Sequence, residues 1–92
     1  MERRTAERAL EHLIQANGAL NEAYRTLHEA GNSRELYVLK DRVAMLIALI
    51  GTGLYKPMYH EHPELCPKSM SFMLDYPIRS EIDWPLGGDP LE

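Results

Sequence analysis

No proline occurs in the first 56 residues of this 92-residue chain, and all six fall in the remaining 36. Long helices are therefore open to the first part, and a long regular helix is excluded from the last. Cysteine is nearly absent: Cys66 stands alone, cannot close an internal disulfide, and calls for no oxidising compartment. No apolar run approaches the roughly 18–20 residues that span a bilayer. No basic segment followed by an apolar stretch and a small-residue cleavage site opens the chain. Together these absences set the expectation of a cytoplasmic protein without a membrane partner. A basic excess is lacking too, since the net charge is −4. Residues 1–55 balance seven basic against seven acidic side chains, whereas residues 56–92 set Lys56, Lys68 and Arg79 against seven acidic ones. That acidity argues against nucleic-acid binding, which favours a basic stripe.

What is present begins with an uninterrupted apolar octet, Val43-Ala44-Met45-Leu46-Ile47-Ala48-Leu49-Ile50. A helix turns about 100° per residue, so eight consecutive apolar positions cover its whole circumference. Such a helix must be surrounded, and a chain of this size has little material to surround it with. The simplest supplier is a second copy, which sets the expectation of a homodimer.

Ala6, Leu10, Leu13, Asn17, Leu20, Tyr24, Leu27 and Gly31 alternate spacings of four and three, the mark of a helical seam. Ala9, Ile14, Ala16, Ala23 and Ala30 widen it, and charged residues hold the other faces. A helix over residues 4–30 follows. Asn17-Gly18 could form a turn, but Leu13, Asn17 and Leu20 keep phase across it, which favours continuity at a cost of about 1 kcal/mol for Gly18. Gly31-Asn32-Ser33 punctuates: Gly31 suits a helix end, and Asn32 or Ser33 can cap the next helix, with Glu35 completing a capping box if Asn32 serves. Leu36, Leu39, Val43, Leu46, Ile50 and Gly53 then mark a second helix over 33–54, ended by Gly51-Thr52-Gly53 and barred beyond Pro57. So short a connection makes the pair antiparallel.

The fold class expected is all-α: one domain, a hairpin over 1–55 with a proline-rich, mostly irregular tail over 56–92, pairing into a dimeric four-helix bundle. The tail is rich in large apolar residues, so it packs on the hairpin or on a partner subunit. Met70, Phe72, Leu74, Tyr76 and Ile78 alternate as in an extended segment, and a short helix over 69–75 capped by Ser69 competes nearly equally. The closing Leu91-Glu92 is compatible with a cloning remnant and carries no weight.

His60, His62 and Cys66 are the only cluster with metal-ligand chemistry, suited to a zinc-like ion. No CxxC, HxxxH or HExxH accompanies them, so a solvated loop is the favoured reading, and no cofactor is expected. Asn17, on the seam, needs a hydrogen-bond partner; an Asn17 from a second chain could supply one, and an outward rotation or a water beside Gly18 is the rival. Met45, Ile47 and Leu49 remain to be covered once Val43, Leu46 and Ile50 face the first helix, and with Asn17 they form the expected dimer interface. Tyr55, Tyr59, Phe72, Tyr76 and Trp84 are tail anchors or partner contacts. Glu7 and Glu11 read as solvated charges rather than a catalytic pair, and glycines at the end of a helix, as at Gly51 and Gly53, do not cradle phosphate. With no catalytic residues assignable, an enzyme is the least supported class. A non-enzymatic interaction module (a dimeric adaptor, regulator or accessory protein) ranks first. A metal- or small-ligand-binding protein follows, and then a small acidic inhibitor or immunity-type protein engaging a partner through its acidic, aromatic tail.

Overall fold

A computed structural model describes residues 1–89 as a rod of 44 × 25 × 21 Å. Its long dimension is one helix. α1 (Arg3–Glu29) runs unbroken for 27 residues, about 40 Å at 1.5 Å per residue. It passes through Asn17-Gly18 without a turn, and the Asn21 amide donates to the Asn17 carbonyl there at 3.0 Å. Gly31 breaks the helix with φ of 136°, a backbone region that side-chain-bearing residues rarely adopt. Ser33, not Asn32, caps α2 (Arg34–Ile50), its Oγ accepting the Leu36 N–H at 3.2 Å. Glu35 therefore falls one position short of a capping box.

α1 and α2 pack along each other as an antiparallel hairpin. The half-buried positions of α2 that turn toward α1 are Leu36, Lys40, Val43, Ile47 and Ile50. This corrects the expected inner face, because Ile47 occupies it while Leu46 is 50% exposed. Lys40 sits on this seam beside the loop and donates from Nζ to His28 Nδ1 at 3.3 Å.

The helix does not end at the glycines. Gly51–Tyr55 continues as a π-helical turn, and α3 (Lys56–Glu61) follows without a break. Pro57 explains the wider turn: a proline has no N–H to donate, and in an α-helix its ring collides with the carbonyl four residues back. The Lys56 N–H reaches back five residues to the Gly51 carbonyl. The turn takes in one extra residue, so the face directed at α1 slips by one position. Tyr55 and Tyr59 occupy it in place of Leu54.

Two 3-10 turns (Pro63–Leu65 and Lys68–Leu74) and a last short helix, α4 (Ser80–Asp83), complete the described chain, which holds no strand. The extended reading of residues 70–78 gives way to the second 3-10 turn, which starts at Lys68 without a side-chain cap, so Ser69 does not serve as one. Leu91-Glu92 lie outside the described residues.

The sealed part of the core sits at the open end of the hairpin. Leu10, Tyr55 and Tyr59 are buried, with Leu13, Ile50, Met58, Leu65, Met70, Met73 and Leu74 packed against them. The two tyrosine rings lie 5.9 Å apart at 33°, within the range of favourable aromatic pairs. Residues on both sides of the 55/56 division expected from composition thus share one core.

Candidate interaction surface

α2 contains no buried residue. Its sequence is the most apolar of the chain, yet each of its side chains keeps some contact with water. Met45 is 59% exposed and Leu46 50%, with Leu39 and Tyr37 exposed as well. Full burial of one leucine, isoleucine or methionine contributes roughly 1.5–3 kcal/mol, so this stretch leaves several such contributions unrealised within one chain.

Helical geometry sorts the apolar residues off the seam by side. With the seam of α2 facing α1, successive 100° steps place Leu39, Leu46 and Leu49 on one flank of α2. The same construction on antiparallel α1 places Ala9, Ala16 and Ala23 on the flank that looks the same way. Leucines on one helix and alanines on the other therefore share one side of the hairpin. Ile14, Ala44 and Ala48 fall on the opposite side, where the tail packs near the open end. There a side-chain carbon built on Gly51 would lie 3.6 Å from the Met73 methyl.

Met45 points away from α1, Leu49 and Ile47 are half-buried, and Asn17 is half-buried on the α1 seam. The Asn17 Oδ1 is buried and has no hydrogen-bond partner among the described residues. An acceptor sealed from water costs about 1–3 kcal/mol when it stays unpaired.

The tail aromatics divide. Tyr55 and Tyr59 belong to the core, Tyr59 at 2% exposure, and burial pushes both phenols above their ordinary pKa. Trp84 is half-buried and presents the Cε3–Cζ3 edge of its indole to Gly53, so close that any side-chain carbon there would overlap the ring. Phe72 and Tyr76 are exposed.

His60, His62 and Cys66 are each directed to a backbone carbonyl. His60 Nε2 lies 2.9 Å from the Met73 oxygen, His62 Nε2 lies 2.8 Å from that of Met1, and the Cys66 thiol donates to Pro67 at 3.5 Å. Burial raises the Cys66 pKa, which disfavours the thiolate a metal would need. Among the described residues no three His, Cys, Asp or Glu side chains are grouped to hold an ion.

A polar cluster that spacing does not reveal pins α4 to the π-turn. Asp83 Oδ2 accepts Lys56 Nζ at 2.8 Å and the Arg79 N–H at 2.9 Å. The Asp83 carbonyl accepts the Thr52 hydroxyl at 2.8 Å. Lys56 and Asp83 are both buried. Burial alone would raise the Asp83 carboxyl, but the Arg79 N–H and the Lys56 ammonium outweigh it and hold the group below its ordinary value. Lys56 and Asp83 stand 27 positions apart with no periodic relation, so no sequence signal announces the pair.

No protein-family model, curated protein or solved structure matches this chain.

Proposed function

We propose that the chain is a non-enzymatic protein–protein interaction module working as a homodimer, in an adaptor, regulator or accessory role. The observation that carries this is the second helix, apolar around its circumference from Val43 to Ile50 and without one buried residue. A two-fold axis along the rod would set the alanine flank of α1 against the leucine flank of α2 in a second copy, small side chains against large ones. The same surface then serves both copies, as a closed pair requires, and four helices enclose one core. Other small proteins with an apolar groove could compete for this side. Self-pairing is favoured because the complementary small and large flanks both lie on one face of the same chain.

Sedimentation equilibrium tests this. The native protein is expected at twice its chain mass of 10.6 kDa. Replacing Leu46 with glutamate should return it to a single chain with its helical circular dichroism retained, because the core at the open end does not use Leu46. A monomeric native protein at micromolar concentration, or a Leu46→Glu dimer as stable as the parent, would refute the pairing.

A further inference from the structure

A cavity of about 550 Å³ opens beside the Lys56–Asp83 cluster, at the end of the rod remote from the hairpin loop. Its walls are apolar, formed by Leu54, Pro57, Ile78 and Trp84, and Glu81, Asp83 and Asp89 also line it. Among the described residues no basic side chain contributes to this lining; the buried Lys56 ammonium is paired with Asp83, and the charge of Arg79 acts on the same carboxylate. Glu81 and Asp89 are exposed, so the groove keeps a negative rim around an aromatic and aliphatic floor. Such a floor and rim suit a cation carried on apolar surface, which gains from the indole face as well as from the carboxylates.

The size of the occupant follows from the surroundings. A second cavity of about 520 Å³ shares Gly53, Leu54, Pro57 and Ile78 with the first, so the groove extends past a single side chain. Ile82 and Leu86, next in sequence to the lining residues Glu81 and Gly87, are exposed apolar side chains. A small organic cation would leave them in water, whereas a polypeptide segment could cover them. We propose that this groove docks a basic segment of a partner protein, in which arginine or lysine alternates with apolar residues. The residues lining the groove are distinct from the leucines and alanines of the α1–α2 flank proposed for self-pairing.

Trp84 is the only tryptophan, so its emission reports occupancy directly. The full chain is titrated with a short capped peptide of alternating leucine and arginine, with the same peptide carrying neutral citrulline, and with argininamide. A saturable change in Trp84 emission is expected with the arginine peptide, weakening as salt rises. The citrulline peptide, and the Glu81→Gln/Asp89→Asn variant titrated with the arginine peptide, should each bind about tenfold more weakly. Circular dichroism checks that this variant keeps its fold, since both side chains are at the surface. Equal binding of the citrulline peptide, undiminished binding by the variant, or no saturable change at millimolar peptide would overturn the proposal. Argininamide binding as tightly as the peptide would overturn the polypeptide assignment in favour of a small cation.

Discussion

Leu10 and Leu46 are both leucines on the paired helices of one hairpin, yet Leu10 is 6% exposed and Leu46 is 50% exposed. Near Leu10 the chain returns three times, as the π-turn with α3, as the first 3-10 turn, and as the second. Around Leu46 the element that packs along the helix is α1. Two helices alone cover one stripe of each other, and a third and fourth layer must come from elsewhere. At the open end the chain supplies those layers itself. Along the shaft it does not, and the shaft is where the most apolar helix lies. Burial in this molecule is therefore decided by where the tail folds back, more than by the apolarity of the residue.

That contrast can be broken first at the open end. Lys56→Met leaves the Asp83 carboxylate buried without its ammonium, and the expected loss is about 3 kcal/mol of stability in urea unfolding. The defect should show in Trp84 emission, since α4 carries that side chain's neighbourhood. An unchanged midpoint would mean that α4 contributes nothing to the stability of the open end.

Gly53→Ala ranks second. Alanine gains up to about 1 kcal/mol as a helix former, but the added carbon overlaps Trp84, and such overpacking costs about 1–3 kcal/mol. The expected balance is a net loss of about 1–2 kcal/mol, read as a lower Tm. A rise in Tm would show that the indole can withdraw freely.

The shaft should respond in the opposite direction. Asn17→Leu removes a buried, unpaired acceptor and adds apolar contact, so a gain of about 1 kcal/mol is expected by the same denaturant measurement. A clear loss would show that the amide finds its partner in the assembled protein, restoring the register role that its seam position suggests.

The smallest effect is expected from acid, because burial opposes the two hydrogen bonds at Asp83. Its folded pKa lies below the ordinary 3.8, so the cluster's contribution is complete above that value and disappears as pH falls through the lower folded one. Trp84 emission followed downward from pH 5 should therefore hold steady until about pH 4 and change only below it. A transition centred above that range would contradict the depressed carboxyl.

The hairpin was legible because its signals are local and periodic. The phase kept across Asn17-Gly18, the glycine at 31 and the serine at 33 each act within one or two helical turns. Leu46 was misplaced for a related reason. An octet that is apolar everywhere supports Leu39-Leu46 and Lys40-Ile47 equally as the inner rows, and only contacts with α1 decide between them. The glycines at 51 and 53 read as a stop, since nothing local says that a wider turn can carry a helix past Pro57. Trp84 resting on Gly53 and Asp83 beside Lys56 depend on the path of the returning tail, which periodicity does not encode. The apolar surface was thus visible in outline from the octet. The acidic groove was invisible, because its walls come from two segments that meet only after folding.

The π-turn acts as a phase shifter within a single rod. Residues up to Ile50 count in one helical frame and those from Tyr55 onward in another, displaced by one. Tolerance to changes in length should accordingly be uneven along the molecule. The exposed loop between α1 and α2 can absorb an added residue by bulging into solvent. One residue lost between Ile50 and Tyr55 would let the turn relax to α geometry with Tyr55 and Tyr59 still facing α1, whereas one residue added there would rotate both off α1 together. The loop thus tolerates an added residue, while the five positions of the π-turn, already one residue over the α-helical count, do not.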